Sequence, residues 1–112
     1  MLAIHVQGLP PAGAERDAMQ YEEILVRSVA NATDDGPKEE DIKLTCRRRP
    51  YAATERIEIL TVMVVENDAP FGVDRRHLEA LHSYVCGWAP EGARCVTVAA
   101  LAGMTLATGE PA

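Results

Sequence analysis

Three consecutive arginines are the feature of this 112-residue sequence with the clearest chemical potential. Arg47, Arg48 and Arg49 are followed by Tyr51, at the point where a predicted strand ends. Guanidinium groups bind carboxylates and phosphates through paired hydrogen bonds, so Arg47, Arg49 and Tyr51 are candidates for holding a small anion. The alternative is structural, because charges at the border of a sheet discourage other strands from pairing there.

Histidines are the next candidates for chemistry. His5 lies in the first predicted strand, on the face opposite the larger apolar residues of that strand. Its imidazole could act as an acid, a base or a substrate contact, and the alternative is a hydrogen-bonded structural or interface residue. His77 and His82 are five residues apart in a predicted helix, which does not suit a metal pair. Both are predicted to lie at the surface.

The three cysteines show no pattern of a metal or disulfide site. Cys46, Cys86 and Cys95 are an odd number without a close pair, so zinc is unexpected and a disulfide framework is excluded. We expect them to be reduced and to pack as small hydrophobic residues, because no activating base is recognisable beside any of them. Neither a metal nor a cofactor is expected.

Composition limits the classes of partner. The chain is 47% hydrophobic and carries 17 acidic against 11 basic residues, for a net charge of -6. A negative domain with few aromatic residues is poorly suited to binding nucleic acid. No signal peptide or membrane-spanning run is present, so we expect a cytoplasmic protein without membrane contact. Residues 1–112 are predicted to form a single domain, with 103–112 as a short C-terminal extension.

Hydrophobic periodicity predicts two helices and four strands in the order β-α-β-β-α-β. Strands are predicted over residues 2–9, 42–47, 56–66 and 95–101, a first helix over 12–33, and a second helix after Asp74 that is closed by Pro90, Glu91 and Gly92. The first helix is expected to end through Gly36 in a left-handed conformation and through Pro37, and Asp74 is the expected N-cap of the second.

This order of elements predicts an α+β domain with both helices packed on one face of a four-stranded sheet, as in a ferredoxin-like or related split arrangement. The opposite face would then carry Ala3, His5 and Gln7, together with apolar residues of the third and fourth strands. The third strand is apolar on both sides, which is typical of a central strand or of one that meets another subunit. We therefore expect a homo-oligomer, with a closed trimer favoured.

The two ends of the chain also carry a family resemblance. The start MLAIHVQGL, the long first helix, the paired strands and the ending LAGMTLATGE resemble a bacterial branch of the tautomerase superfamily. That superfamily includes 4-oxalocrotonate tautomerase, macrophage migration inhibitory factor and 5-carboxymethyl-2-hydroxymuconate isomerase. The resemblance covers nearly the whole chain in element order and length. It implies a homotrimer whose sheets enclose a channel, an N-terminal proline as proton carrier, and arginines that hold a substrate carboxylate.

The chain departs from this family at the catalytic position, where Leu2 stands in place of proline. Leucine protects the initiator Met from removal, so the resemblance transfers the free amine to Met1, a weak base near neutral pH. Two functions follow as hypotheses. One is altered or vestigial keto-enol isomerisation of a small carboxylated compound, with Met1 as the catalytic residue and Arg47, Arg49, Tyr51 and His5 as substrate contacts. The other is a non-catalytic oligomer that binds a protein or a small ligand.

Overall fold

The first strand already separates the two faces of the sheet. The computed structural model describes residues 1–11, 15–66, 69–101 and 104–108. In β1 (Leu2–Leu9), Leu2, Ile4 and Val6 are fully buried, whereas the residues between them are half-buried or exposed. Successive side chains of a strand point to opposite faces, so β1 directs its larger apolar residues to one side.

Within the described residues, the two predicted helices and four predicted strands are all present, and a fifth strand is added. The remaining elements are α1 (Glu15–Ala30), β2 (Ile42–Arg48), β3 (Glu58–Val65), α2 (Arg75–Trp88), β4 (Arg94–Leu101) and β5 (Met104–Thr108), with a short 3-10 helix at Glu39–Asp41. The predicted first turn of α1, from residue 12, falls partly outside the described residues. Residues 104–108, expected to belong to a short extension, pair antiparallel with β4.

The strand order differs from the predicted split arrangement. The sheet runs β2-β1-β3-β4-β5. The pairs β1–β2 and β3–β4 are parallel, and the central pair β1–β3 is antiparallel. A split unit would place a third strand between the two strands of each β-α-β unit, whereas here each helix joins two adjacent strands. The prediction of a ferredoxin-like strand order is therefore wrong, and β3 lies in the middle of the sheet.

Both helices cover the same face. Each contributes a buried apolar stripe to one core, and the stripes meet the buried residues of β1, β3 and β4; the helical members are Tyr21, Leu25, Val29, Leu78, Leu81 and Val85. Three aromatic rings join the helices, since Tyr21 of α1 lies with its ring centroid 5.3 Å from those of Tyr84 and Trp88 in α2. Right-handed connections between parallel neighbours place both helices on one side of a sheet.

A buried histidine holds the end of α1 against the start of α2. His77 is 1% exposed, and its Nδ1 accepts the backbone N–H of Asp74, the N-cap of α2. The ring hydrogen therefore lies on Nε2 and is donated to the Thr33 hydroxyl, 2.8 Å away. The expectation of a surface position for His77 is wrong, because the ring is buried and accepts the backbone N–H of the N-cap residue Asp74 instead of facing water.

The same contact explains the end of α1. The helix stops at Ala30 rather than at residue 33, and Thr33 turns its hydroxyl to His77. Gly36 does not adopt the expected left-handed conformation. Instead, a Cβ atom at Gly36 would collide with the His77 ring and the Thr33 hydroxyl oxygen. Glycine is required here because the backbone lies close to these two side chains.

This arrangement predicts a loss of stability in mild acid. Burial lowers the pKa of His77 below its ordinary value of 6.5, with opposing contributions from Asp74 and Asp35 and a supporting one from Arg76. The unfolded chain therefore takes up the proton first. The free energy of unfolding should fall as pH drops below about 6.5, until the folded protein also binds the proton. Urea unfolding at pH 7.5, 6.5 and 5.5 measures this slope.

The matched variant is His77→Gln, in which the titrating group is absent. Its free energy of unfolding should be lower at pH 7.5 and should change less between pH 7.5 and 5.5. His82, whose pKa burial also lowers, contributes to the slope in both proteins. Equal slopes in the two proteins would show that His77 does not couple folding to protonation.

Candidate functional site

The candidate site is a cleft at one end of the face that the helices leave uncovered. We call this the open face; it comprises Lys43, Thr45 and Arg47 of β2, Ala3, His5 and Gln7 of β1, Leu60, Val62 and Val64 of β3, and Val96, Val98 and Ala100 of β4. Arg47, Gln7, Leu60 and Val96 are directly paired from strand to strand and form one row across it. A cleft of about 590 Å³ lies over this row.

The cleft combines an apolar floor with cationic walls. Leu60 is 40% exposed and Val96 is half-buried, and Arg47 and Arg94 stand at the two sides. Arg94 Nη1 lies 3.9 Å from a carboxylate oxygen of Glu58, the acidic residue of the cleft. Both side chains of that pair are largely exposed, so their attraction contributes little to stability.

Arg47 is the predicted residue that the structure leaves available for an anion. Its side chain is exposed and makes no hydrogen bond or ion pair with any described residue. The amide of Gln7 is its neighbour on β1. A guanidinium and an amide side by side offer several N–H donors to a carboxylate.

Arg49 also lines the cleft, but its guanidinium is engaged within the chain, and Tyr51 supports the cleft without lining it. The Arg49 guanidinium carbon lies 3.9 Å from the centre of the Tyr51 ring, and its Nη1 is 3.2 Å from a carboxylate oxygen of Glu55. That hydrogen bond raises the pKa of Arg49 above its ordinary value. The Tyr51 hydroxyl lies 2.7 Å from the Gly8 carbonyl oxygen and 3.0 Å from that of Glu58. Tyr51 thus connects the ends of β1 and β3, and its hydroxyl is already engaged.

Arg48, the middle arginine of the run, directs its guanidinium to the other side of the sheet. Arg48 donates from Nη1 to the Pro10 carbonyl oxygen at 2.7 Å, and its guanidinium carbon is 5.7 Å from the centre of the Tyr21 ring. Alternation along β2 separates it from Arg47. The run of three arginines therefore divides between ligand-facing and structural positions.

Met1 lies at the opposite end of the sheet from the arginines. Its amine is 4.0 Å from a carboxylate oxygen of Glu66, and the residue is 43% exposed. Five residue steps of about 3.3 Å separate the level of Leu2 from that of Gln7 and Arg47, so the amine and Arg47 are more than about 15 Å apart within one chain. One copy of the protein does not bring Met1 and the arginines together.

Leu2 and His5 occupy the two faces between these ends. Leu2 is fully buried in the core, so the residue at the family's catalytic position packs against the helices. His5 is half-buried on the open face, beside Thr45 and Val62, and makes no hydrogen bond with a described residue. His5 is nearer to the cleft than to Met1 along β1.

One cluster was missed by the sequence reasoning. His82 Nε2 lies 3.4 Å from the Cys86 sulfur, and His82 Nδ1 lies 2.8 Å from the hydroxyl oxygen of Thr97. The expectation that His82 is a surface residue and that no base stands beside a cysteine is therefore wrong. The available signal was the four-residue spacing of His82 and Cys86, which places them on one helical face.

Comparison with protein-family models, with curated proteins and with solved structures found no match to this chain. None of the helices in the described part of the chain is long and apolar enough to cross a membrane. Among residues 1–11, 15–66, 69–101 and 104–108, no group of three or more His, Cys, Asp or Glu side chains is arranged to hold a metal ion.

Gly8 shapes the cleft, and replacing it should destabilise the protein. Its φ is +90°, β1 carries a register shift between Gln7 and Leu9, and a Cβ atom would collide with the Glu58 carbonyl oxygen. Gly8→Ala should therefore lower the free energy of unfolding by roughly 1–3 kcal/mol, measured by urea denaturation.

The control is Gly87→Ala in α2, where a Cβ atom meets no heavy atom within 4 Å. That substitution should leave stability unchanged or raise it by up to about 1 kcal/mol, because alanine favours the helix. If Gly8→Ala were as stable as the wild-type protein, the strained bulge at the cleft would be contradicted.

Proposed function

We propose that this protein binds a small carboxylate-bearing compound in the cleft of the open face, as a relative of the tautomerases that lacks their proline-based proton transfer. The observation that carries the proposal is Arg47, whose exposed guanidinium lines the cleft without an ion-pair partner among the described residues. The floor formed by Leu60 and Val96 suits the apolar part of such a ligand. Gln7 adds a neutral hydrogen-bonding group.

Two positions argue against efficient isomerisation within one chain. Leu2 stands where the tautomerases carry proline, and its side chain is fully buried in the core. The primary amine of Met1 lies more than about 15 Å along β1 from Arg47, beyond the reach of a small substrate held by that arginine. Binding without turnover is the function that this geometry supports best.

A residual isomerase is the second candidate, and the exposure of the Met1 amine favours it. In a closed oligomer, an arginine of a neighbouring copy would have to reach Met1 to complete a site. Turnover of phenylpyruvate between its keto and enol forms tests this candidate. We expect little or none, and chemical blocking of the amine should abolish any residual rate. A rate that survives blocking would assign the chemistry to another residue.

The binding proposal predicts a specific response to phenylpyruvate, a carboxylate with an apolar ring. In a titration followed by NMR at low salt, the backbone amide signals of Gln7, Leu60 and Val96 should shift. Arg47→Gln should weaken binding about fivefold to tenfold, because one charge-assisted hydrogen bond at an exposed site is lost.

Lys43→Gln is the matched control, because it removes one positive charge from the same face of the same strand. Lys43 lies four residues from Arg47, about 13 Å along β2, so its loss should change the affinity less than twofold. Equal weakening by both substitutions would indicate general charge attraction and would contradict a site at Arg47.

We also propose that the open face meets other copies of the chain in a closed homotrimer. Val62, Val64 and Val98, which lie outside the cleft, are only half-buried in the single chain, although the two helices already cover the other face. Burying a medium-sized apolar side chain contributes about 1.5–3 kcal/mol, so several per subunit offset a typical cost of association. The charged residues of the open face lie towards its border, Lys43 and Arg47 on the edge strand β2 and the paired Glu58 and Arg94 at the start of β3 and β4, and they leave the middle of β3 and β4 apolar.

Val98→Glu should dissociate this oligomer, because it places a charge in the centre of the apolar area. Ser83→Glu, at an exposed position of α2, is the control and should leave the mass unchanged. Light scattering coupled to size-exclusion chromatography measures the mass of each protein, and circular dichroism shows whether each is folded. A wild-type monomer at micromolar concentration would contradict the trimer without affecting the binding of phenylpyruvate.

A further inference from the structure

Two cysteines, Cys86 and Cys95, lie on the side of the sheet that the helices cover, away from the cleft of the open face. Cys86 is in the last turn of α2, and Cys95 is the second residue of β4. Cys95 belongs to the buried core, Cys86 packs against that core, and the two side chains are close enough to influence each other electrostatically. Eight residues of sequence separate them, and the chain reverses through Gly92, whose φ is +81°.

His82 contacts the Cys86 thiol. His82 lies one helical turn before Cys86, with Nε2 3.4 Å from the sulfur. Thr97, two residues after Cys95 on the same face of β4, lies 2.8 Å from Nδ1 through its hydroxyl oxygen. In the tautomer with hydrogen on Nδ1, the ring donates to Thr97 and leaves Nε2 free to accept the Cys86 proton.

Accessibility differs between the two thiols. Cys95 is fully buried, whereas Cys86 is half-buried. A small oxidant therefore reaches Cys86 first, and Cys95 is held behind it. In this arrangement Cys86 would react with the oxidant, and Cys95 would then form a disulfide with the oxidised Cys86.

We propose that Cys86 and Cys95 form a redox-active thiol pair that hydrogen peroxide converts to an intramolecular disulfide, with His82 as the proton acceptor of Cys86. The proposal concerns a site other than the anion cleft and does not depend on the function proposed for that cleft.

The reaction balances in two steps. His82 takes the Cys86 proton, and the thiolate attacks one oxygen of hydrogen peroxide, which gives Cys86 sulfenic acid and hydroxide; the proton on His82 converts that hydroxide to water. The Cys95 thiol then loses its proton and attacks the sulfenic sulfur, which forms the S–S bond and releases a second water. Two thiols and one peroxide thus give one disulfide and two waters.

The surroundings explain why a base is needed. Burial raises the pKa of both thiols, to about 11 for Cys95, and the interaction with Cys95 partly offsets this effect at Cys86. Few thiolates would therefore exist at neutral pH without a proton acceptor. Burial also lowers the pKa of His82, which keeps the ring neutral and able to accept a proton.

Peptide mapping of the wild-type protein tests the pair directly. After treatment with a small excess of hydrogen peroxide, the intact mass should fall by two hydrogen atoms, about 2 Da. Trypsin cleaves after Arg94, between the two cysteines, so peptides 77–94 and 95–112 should be recovered joined. Cys46 falls in the separate peptide 44–47 and is the internal control, because burial raises its pKa to about 12. Joined peptides that include Cys46, or an unchanged mass, would overturn the proposal.

Variants separate the roles. Cys95→Ser should trap Cys86 as a sulfenic acid that dimedone labels, while Cys46→Ser should form the disulfide as the wild type does. His82→Asn keeps a donor toward Thr97 and lacks Nε2, so its oxidation rate should fall about tenfold or more at pH 7. Its rate should then rise steeply with pH, whereas the wild-type rate should be nearly flat above pH 6.5. Matching pH profiles would overturn the role of His82 but not that of the pair.

Discussion

The constraint on which this structure depends is that both helices cover one face of the sheet. Each helix connects two adjacent parallel strands, and right-handed connections leave no helix for the opposite side. The covered face is packed with fully buried residues of β1, β3 and β4. The open face is half-buried, and both the cleft and the proposed oligomer interface lie on it. A domain of this size cannot cover a five-stranded sheet on both sides with two helices.

The position of β1 connects the core to the chemistry of this face. Its alternate residues are divided between core packing, through Leu2, Ile4 and Val6, and the open face, through His5 and Gln7. Because Leu2 packs in the core, the amino end of the chain is held at one end of the sheet. The arginines at the C-terminal end of β2 are held at the other end, since β2 runs parallel to β1. Parallel pairing thus separates the amine from Arg47.

Polar residues inside the molecule connect elements rather than face solvent. His77 joins the end of α1 to the N-cap of α2 through Thr33 and Asp74, and His82 joins α2 to β4 through Thr97. Each of these two histidines uses both ring nitrogens, which avoids the cost of an unpaired polar group. The second of these contacts also brings a proton acceptor to Cys86. The contact of His82 with Thr97, which packs α2 against β4, therefore also positions a proton acceptor beside the proposed thiol pair.

The sequence by itself determined the elements, their order and the alternation of β1, because these follow from local periodicity and from residues that stop helices and strands. It also identified Arg47 as a candidate anion contact, since the charge and the strand end are both local features. Strand order and the fifth strand were decided by tertiary pairing. The same holds for the burial of His77 and the contact of His82 with Cys86 and Thr97. Such contacts join residues far apart in the chain, and hydrophobic periodicity cannot distinguish a polar side chain facing water from one that meets a partner across the fold.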